Sequence, residues 1–578
     1  MIDGFAFPPA LFLIFTGLAC LVLPAMLRPF AVLGAPVVTL AAVWSFAAQM
    51  AVAPEDAPFS GEVYAASLDY LGLTLYPVRV DPLSLVFATV FAIMAFAGGL
   101  YALRLEDRRE LALLQVYAGA AIGAVLAGDL LTLFVFWELM AIASVLIIWA
   151  GGPDARGAGL RYAGVHFLGG ACLMAGAAGY VATTGEAAFG PLPQEGVIGG
   201  LALIGILINA AAWPLNAWLA DAYPRASWAG TVFLSAFTTK TAIYALIRGF
   251  PGDEWLIWIG IATIAYGCLY ALVETDLRRL LCFAIVAQGG FMMVGVGIGT
   301  PMALNGAAGH AFVSILYSAT LFMAAGALLR GHGTAQISAF SEGARHMPQT
   351  ALLAGVAALS LAALPGTGAY ISKSLISSGA GKADAELAYL LLSAAAAGVV
   401  LHAGRFVWVG FLARGSAPST KPIEEPGPEQ RLAMLVPLAL VLVLAVVPGS
   451  FYAFLPEAMD AYTPYKADTL LLQLQLLVFG VLALYYAVRL IPDAPRALID
   501  TDWLYRRLGR ALLGTLGHGW LAAYAQAAEK SLAAVQRLLV ELYRIHGPNS
   551  TLASTRQTGY VALWMTALLS VLVLSSVL

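Results

Sequence analysis

Residues 131–150 read LTLFVFWELMAIASVLIIWA, a run of apolar side chains with one carboxylate, Glu138, near its middle. A helix of about 20 apolar residues crosses the hydrocarbon core of a bilayer. An ionisable side chain at that depth costs about 2.5–3.5 kcal/mol on insertion scales, so it needs a partner, water or a function. The segment therefore predicts a membrane-spanning helix and raises the question of what Glu138 does there.

The rest of the chain is also rich in apolar residues. Of its 578 residues, 61% are hydrophobic and 11% are charged, whereas soluble domains carry about 25% charged residues. The formal net charge of −3 gives no indication of nucleic-acid binding. The four cysteines lie in apolar runs without metal-ligand spacing and are interpreted as small buried side chains. The sequence predicts an all-α polytopic membrane protein that holds no metal and no cofactor.

About sixteen apolar runs are long enough to cross a membrane. They cover roughly residues 9–27, 30–53, 82–103, 111–127, 130–150, 161–184, 197–220, 227–249, 255–273, 279–299, 303–329, 350–380, 386–413, 432–454, 470–491 and 558–577.

Two of these spans contain a proline well inside the apolar run. Pro214 lies in LINAAAWPLNAWLADA, in the seventh span, and Pro365 lies in LSLAALPGTGAYISKSLI, in the twelfth. Such prolines interrupt a helix and free backbone carbonyls, which is tolerated only where protein or water satisfies those groups. Interrupted helices in matching places indicate two inverted five-helix repeats with the working site between them.

The expected organisation follows from these spans. The predicted parts are N-terminal helices in 1–110, a first repeat in 111–250, an inverted second repeat in 251–413, two further spans in 414–499, an amphipathic surface helix in 500–547 and a final transmembrane helix in 548–578.

The loop charges predict an orientation. Arginine and lysine number about fourteen in one set of loops and about four in the opposite set, which is a strong positive-inside bias. Both termini are then expected on the outer, periplasmic side of a bacterial inner membrane. In the segment 500–546, Lys530, Arg537 and Arg544 share one helical face opposite an apolar face. This helix is expected to lie along the cytoplasmic surface or, equally well, to pack on a neighbouring subunit.

Several ionisable side chains occur near the middle of the spans. The four that best suit proton transfer are Glu138, Lys240, His310 and Lys373. Each can hold or release a proton, and its affinity for that proton depends on burial and on neighbouring charges.

Four further polar residues are candidates with a strong structural alternative. A structural role in a buried pair explains His166, His402 and Arg405 at least as well as proton transfer does. Asp129 is equally well explained as the cap of the fifth span.

Four segments of the chain resemble one protein family, in order and at the family's spacing. They resemble the antiporter-like membrane subunits of respiratory complex I, of multi-subunit (Mrp-type) cation/proton antiporters and of membrane-bound hydrogenases, most of all the D-type subunits of the Mrp systems. The segments are GDLLTLFVFWELMAIAS, PLNAWLADAYPRASWAGTVFLSAFTTKTAIYALIRGF, ETDLRRLLCFAIVAQGG and LPGTGAYISKSLI.

The resemblance implies a fold and a set of residue roles. The fold has about fourteen core transmembrane helices with two inverted five-helix repeats, and a hydrated row of charges passes protons at mid-membrane. Position by position, Glu138 matches the glutamate of the fifth span, and Lys240 matches the lysine of the eighth. His310 matches the first histidine of the eleventh-span motif, and Lys373 matches the lysine or glutamate after the twelfth-span break.

This chain departs from the family pattern at four polar positions. The family's lysine and histidine around the seventh-span proline are Asn209 and Asn216 here, and a later histidine and lysine of the eleventh span are Ser314 and Ser318. Amide and hydroxyl groups can hold water, but they cannot supply the charge of a lysine. Glu138 therefore lacks the cation that the resemblance would place beside it.

The sequence leaves more than one function open. The first is a proton-conducting subunit of a larger complex, in which His310 relays through water held by the four substituted positions and Lys373 is the outward end of the row. Its partners would be paralogous antiporter-like subunits, the lipid bilayer, and protons with Na⁺ or another monovalent cation. The alternative is a non-conducting structural subunit with a degenerate path, and a stand-alone solute transporter is a third.

Enzymatic chemistry would belong to partner subunits, since no dinucleotide loop or iron–sulfur cysteine cluster is present in the sequence.

Overall fold

The computed structural model describes residues 7–50, 63–337, 343–383, 385–413, 424–459, 461–490, 500–546 and 558–577. The chain forms two compact units, residues Met1–Thr501 and Asp502–Leu578. Within the described residues both units are helical, apart from one antiparallel β-hairpin in the first. The all-α membrane fold predicted from the sequence is therefore confirmed, with the hairpin as an addition.

The N-terminal region consists of helices around this hairpin. Its elements are α1 (Ala10–Cys20), α2 (Arg28–Met50), β1 (Val63–Tyr70), β2 (Leu73–Val80) and α3 (Pro82–Ala102).

A first half of the bundle, here called the first half, follows from α4 to α10. Its helices are α4 (Arg108–Leu126), α5 (Leu130–Ala150), α6 (Arg156–Thr184), α7 (Gly196–Asn209), α8 (Ala217–Ala222), α9 (Gly230–Ala236) and α10 (Thr238–Gly249), with 3-10 turns at Pro153–Ala155 and Tyr223–Arg225.

The second half runs from α11 to α17. Its helices are α11 (Trp255–Val273), α12 (Leu277–Ile298), α13 (Pro301–His332), α14 (Gly343–His346), α15 (Pro348–Leu361), α16 (Gly368–Lys382) and α17 (Glu386–Val407), which ends in a π-helical turn at Trp408–Leu412.

Five helices complete the described chain. They are α18 (Pro428–Val446), α19 (Pro448–Phe454) and α20 (Ala467–Leu490) in the first unit, and α21 (Asp502–His546) and α22 (Thr558–Val577) in the second. The helix predicted over 500–547 is one continuous helix of 45 residues. Its apolar residues Leu532 and Leu539 are exposed.

The predicted spans correspond to these helices. Within the described residues, 12 helices are long and apolar enough to cross a membrane. The shorter apolar helices Ala10–Cys20, Gly196–Asn209, Pro348–Leu361 and Gly559–Ser575 account for the other four predicted runs. The chain is therefore a multi-pass membrane protein.

The spans form a buried centre and a more exposed periphery. The span Gly230–Gly249, which contains α9 and α10, is 100% buried, and α12 and α13 are each 94% buried in their most apolar windows. The corresponding values are 44% for α5 and 6% for α20. Side chains on α10, α12 and α13 therefore lie in the interior, whereas α5 presents about half of its surface outwards.

The two interrupted helices have the same backbone structure. After α7, the residues Ala210, Ala211 and Ala212 donate to the carbonyls of Ile206, Ile208 and Leu207, respectively. After α15, the residues Ala362, Ala363 and Leu364 donate to Ala358, Ser360 and Leu359 in the same pattern, 152 positions later. Ala211 and Ala363 both have a positive φ, 53° and 56°. The predicted breaks in the seventh and twelfth spans are thus present and end in left-handed caps that re-satisfy the freed carbonyls.

A second arrangement of backbone hydrogen bonds also occurs once in each half. In the first half, Leu130 donates to Ala187 and Phe189 donates to Gly128; in the second, Leu277 donates to Ala335 and Ile337 donates to Thr275. These bonds tie the start of α5 to the residues after α6, and the start of α12 to the residues after α13. The two halves therefore repeat the same local structure, while the inverted orientation of the second half stays a prediction.

Candidate functional site

Lys240 lies in the fully buried span, directly after an interruption that the sequence did not predict. Phe237 separates α9 from α10 and leaves the regular helical conformation (φ −105°, ψ −63°). The Lys240 side chain is buried, and its Nζ donates to the carbonyl oxygen of Ser235 at 3.2 Å. The hydroxyls of Thr239 and Thr241 are buried and have no hydrogen-bond partner among the described residues. The ammonium group is therefore held by one carbonyl, among polar groups that remain able to bind water.

His310 lies in the interior of α13 and connects three helices. A hydrogen bond of 2.9 Å joins its Nε2 to Oε1 of Gln288 on α12, and one of 3.0 Å joins its Nδ1 to Oγ of Ser372 on α16. The side chain is completely buried. Because the Gln288 amide oxygen can only accept, Nε2 donates to it and fixes the ring, and the imidazole can exchange a proton with the Ser372 hydroxyl through Nδ1.

Lys373 follows Ser372 on α16, beyond the second helix break. Its side chain is 7% exposed, and its Nζ has no hydrogen-bond partner among the described residues. The Nζ lies 4.2 Å from the centre of the Phe291 ring, a cation–π contact. The lysine also faces a cavity of about 90 Å³, whose polar lining includes Ser377, Ser393 and Thr469. This cavity has several hydroxyl groups in its lining and is large enough to hold water beside the ammonium group.

Lys240, His310 and Lys373 belong to one electrostatic group. The charges of Lys373 and Lys240 both act on the His310 imidazole. None of the three side chains forms an ion pair within the described part of the chain. His310 thus lies within electrostatic reach of both lysines, and no described carboxylate is paired with any of the three predicted carriers.

Glu138 lies apart from this group, on the peripheral helix α5. Its side chain is half-buried and has neither a hydrogen bond nor an ion pair among the described residues. The carboxyl group rests against the backbone of α6, where a Cβ on Gly170 would meet its Oε1 at 1.9 Å. Gly170 therefore provides the space that the carboxyl group occupies. The missing cation at Asn209 is not replaced by another residue in the described structure.

Asp129 has a structural role in its surroundings. Its carboxylate accepts from the backbone N–H of Thr132 at 2.7 Å, from the Thr132 hydroxyl at 2.7 Å and from the N–H of Tyr76 in β2 at 2.8 Å. It therefore caps α5 and attaches the hairpin to that helix, which favours the capping alternative.

The supporting residues of the first half lie near Glu138 and the break. His166 stacks on Tyr162 with ring centres 3.9 Å apart, and it meets Trp218 edge-on at 4.5 Å. Asn209 lies beside His166, and Asn216 lies beside Tyr266. The side chains of His166, Asn209 and Asn216 are buried and form no direct hydrogen bond in the described structure.

The supporting residues of the second half are more dispersed. The Ser314 hydroxyl donates to the carbonyl of Ala311 on its own helix at 3.1 Å, and Ser318 is buried one turn further along α13. His402 hydrogen-bonds the Cys268 carbonyl at 3.1 Å, and Arg405 donates to the Ala271 carbonyl at 3.0 Å. Both contacts fasten α17 to α11, which favours structural roles for His402 and Arg405.

A buried ion-pair cluster closes one end of the first half. Asp81 pairs with Arg248 at 2.6 Å and with Arg79 at 3.3 Å, and its carboxylate also accepts from the Ser84 N–H at 2.8 Å. Burial alone would raise the pKa of Asp81, but the two guanidinium groups and the hydrogen bonds outweigh burial and hold the pKa below its ordinary value. The cluster ties the end of α10 to the start of α3.

Three residues of the site were absent from the sequence-based candidates. Gln288 and Ser372 hold His310, and Gly170 accommodates Glu138. Gln288 lies in the motif ETDLRRLLCFAIVAQGG, and Ser372 directly precedes Lys373, so both lie within segments that carry the resemblance. Their polarity in an apolar run was the available signal. Gly170 had no signal, since a glycine in a membrane helix is common.

Comparison with protein families agrees with this architecture. Residues 127–398 match the family described as NADH:quinone oxidoreductase/Mrp antiporter, TM. The matched region contains both broken helices and all four predicted carriers. The resemblance inferred from the sequence motifs is thereby confirmed for this region, which is similar to the antiporter-like membrane subunits of the Mrp and complex I type.

Individual relatives extend the comparison. An uncharacterized protein of Mycobacterium tuberculosis is 30% identical over 64% of this chain and 64% of its own length. The match thus spans less than two thirds of the length of the Mycobacterium protein. The D-type subunit of the Na⁺/H⁺ antiporter of Bacillus subtilis is 26% identical over 68% of this chain and 83% of its own length. A chain in the structure of the Mrp complex from a Dietzia species has the same fold, with a TM-score of 0.74 and 24% identity over 91% of this chain and 62% of that chain.

Proposed function

We propose that this chain is a proton-conducting, antiporter-like membrane subunit of a larger Mrp-type or complex-I-like complex. Protons pass along a mid-membrane row formed by Lys240, His310 and Lys373, with Glu138 as a side branch of the first half. Energy comes from ion exchange or redox chemistry in partner subunits, among them paralogous antiporter-like chains. The relatives of known name, which are subunits of such assemblies, support this proposal.

One observation carries the proposal: three buried cationic or titratable side chains lie in one electrostatic group without a counter-ion among the described residues. Inside a membrane protein such groups are costly, and structural fasteners are normally paired. Asp81, by contrast, is a buried charge that forms an ion pair, with Arg248. An ion pair would hold a lysine in its charged form. We infer that Lys240 and Lys373 are unpaired so that they can bind and release protons.

The contacts give the row a direction. His310 is joined to Ser372, which precedes Lys373 on the same helix, and Lys373 faces the serine-lined cavity between α16, α17 and α20. A proton that reaches His310 can continue to Lys373 and leave through hydrated groups of that cavity. In this proposal Lys373 is the outward end of the row.

A structural, non-conducting subunit is the second candidate. The observation in its favour is the isolation of Glu138, together with amides and hydroxyls at Asn209, Asn216, Ser314 and Ser318. A chain that had lost its role in transport would tolerate such substitutions. It would not be expected to keep two buried, unpaired lysines.

The test is transport by everted membrane vesicles from a host in which the chromosomal copy carries the change. Lys240→Ala should abolish proton movement coupled to added Na⁺ or K⁺ or to respiration, followed with a pH-sensitive fluorescent dye. Lys466→Ala is the matched control, because this lysine is exposed outside the spans. Unchanged coupling in Lys240→Ala vesicles that contain normal amounts of the complex would establish the structural alternative.

A further inference from the structure

A cluster of hydroxyl groups lies in the first half, at the start of the helix that carries Lys240. The Tyr117 hydroxyl on α4 and the Thr238 hydroxyl on α10 are joined by a hydrogen bond of 2.7 Å, and the N–H of Thr238 donates to the Tyr117 oxygen at 3.2 Å. On the neighbouring helices, a hydrogen bond of 2.9 Å joins Ser144 on α5 to Tyr162 on α6. Four helices of the first half thus contribute hydroxyl groups to this cluster.

Tyr223 connects these two pairs. Its hydroxyl is buried and lies close to the hydroxyls of Tyr117 and Tyr162, without a direct hydrogen bond in the described structure. Its ring centre is 6.3 Å from that of Tyr162. The side chains of Tyr117, Tyr162 and Tyr223 are buried to 1% exposure or less, so the cluster is shielded from lipid and bulk solvent.

The cluster extends from one face of the molecule to the middle of the bundle. Tyr162 lies in the second turn of α6, and Tyr223 lies in the 3-10 turn that follows α8. Next to them, Arg161 and Asp221 form a partly exposed ion pair with bonds of 2.6 and 2.9 Å. At the other end, Thr238 precedes Lys240 by two residues, beside the unpartnered hydroxyls of Thr239 and Thr241.

The bonding pattern differs from that of a structural hydroxyl. Tyr101, which is equally buried, donates to the carbonyl of Met323 at 2.8 Å, and a carbonyl cannot pass a proton on. Tyr117 and Tyr162 are instead bonded to other hydroxyls. A hydroxyl is both donor and acceptor, so each can receive a proton on its oxygen and release its own to the next group without net ionisation.

We propose that Tyr223, Tyr162, Tyr117 and Thr238 form a hydroxyl relay that supplies protons to Lys240 from the face where α5 ends and α6 begins, independently of Glu138. The inference rests on the proposed function, since it names the uptake route of the same row. A proton taken up beside the Arg161–Asp221 pair displaces one proton along each hydroxyl in turn, and the last one converts the Lys240 amine to an ammonium group. The hydroxyls return to their neutral state when they rotate. Water bridging the gaps at Tyr223 and before Lys240 completes the path.

The experiment measures proton transport in the vesicle system for conservative variants of the relay. Tyr117→Phe and Thr238→Val remove one hydroxyl each and keep the shape of the side chain, whereas Thr238→Ser keeps the hydroxyl. Tyr101→Phe is the matched control for loss of a buried tyrosine hydroxyl. The amount and thermal stability of the complex are measured for every variant, so that a folding defect is recognised.

The relay predicts a specific pattern of transport rates. Tyr117→Phe and Thr238→Val should slow transport about tenfold or more, as expected for loss of a positioned proton-transfer group. Thr238→Ser and Tyr101→Phe should transport at the wild-type rate. The defect of Tyr117→Phe should persist in a Glu138→Gln background, since the two routes are separate.

Two results distinguish the inference from the function on which it rests. If Lys240→Ala abolishes transport while Tyr117→Phe and Thr238→Val match the Tyr101→Phe control, the row conducts but the relay does not feed it. If Lys240→Ala transports normally, the proposed function itself fails. A Thr238→Ser variant as slow as Thr238→Val would also reject the relay, because a packing role would then explain both.

Discussion

The two halves of the bundle share the same local backbone structures but differ in the chemistry of their side chains. Both contain a helix that ends in a left-handed cap, and both tie the start of one helix to the residues after the next by the same pair of hydrogen bonds. In the second half, His310 is bonded on both ring nitrogens and Lys373 faces a polar cavity. In the first half, Glu138 has no polar partner among the described residues.

The difference shows that a repeated backbone does not preserve a repeated mechanism. Backbone hydrogen bonds depend on chain geometry and tolerate many side chains, so both halves keep them. A proton path depends on particular side chains at each step, and one substitution such as Asn209 can disconnect a member. The second half is thus the better-connected part of the proposed row, and in the proposed path the first half relies on Lys240 and the hydroxyls of the relay.

The largest expected effect concerns the end of the better-connected half. Lys373→Ala should reduce coupled proton transport about a hundredfold or more, because no other amine and no carboxylate lines this cavity in the described part of the chain. Lys382→Ala, an exposed lysine on the same helix, should leave transport unchanged in the same vesicle assay. Equal transport by the two variants would remove the distinction drawn between the halves.

The next largest effect concerns the ion pairs that stabilise the first half. Asp81→Asn should lower the free energy of unfolding by about 3–5 kcal/mol, because it leaves buried guanidinium groups of Arg248 and Arg79 without their carboxylate. The measurement is thermal unfolding in detergent, with the exposed Asp69→Asn as the control.

The same ion pair predicts a pH dependence. The pKa of Asp81 is lower in the folded than in the unfolded protein, where it is about 3.9. Its stabilising contribution is therefore complete above about pH 4 and is lost as the pH falls through the lower folded-state pKa. Asp81→Asn should lack this acid-dependent component, and an unchanged pH profile would show that Asp81 does not contribute it.

A smaller effect is expected from the contact that holds His310. Gln288→Leu should destabilise the protein by about 1–3 kcal/mol, because Nε2 of a buried imidazole loses its partner. Gln115→Leu is the matched control, since the Gln115 amide is buried with no hydrogen-bond partner among the described residues and should tolerate the change. Similar losses of stability would mean that the Gln288–His310 bond adds nothing beyond packing.

The smallest effect concerns the isolated carboxyl group. In Gly170→Ala the new Cβ displaces the flexible end of Glu138, so unfolding should change by less than about 1 kcal/mol. Transport should fall only about twofold, or about 0.4 kcal/mol in barrier height. Gly164→Ala, on the same helix with open space around it, should match the wild type. A large loss of transport in Gly170→Ala would place Glu138 on the main path and make the two halves more alike.

Most of the fold was predictable because its signals are local. Apolar runs located the spans, and Pro214 and Pro365 located the two helix breaks. Two elements were not predicted. The hairpin lies between two predicted spans, and alternating residues on either side of Gly72 were its signal. The interruption at Phe237 contains neither proline nor glycine, so only the packing of α9 and α10 decides it.

Hydropathy along the chain was enough to predict many membrane crossings with ionisable groups near their middle, because the length of an apolar run can be compared directly with the thickness of a bilayer. The contacts of these groups became known only from the folded arrangement of the helices. His310 meets Gln288 and Ser372, which lie 22 and 62 positions away along the chain, whereas Glu138 meets a glycine backbone. Electrostatic and hydrogen-bond energies depend on distances between helices. Those distances are set by the packing of several segments, so they cannot be deduced from any one segment of the sequence.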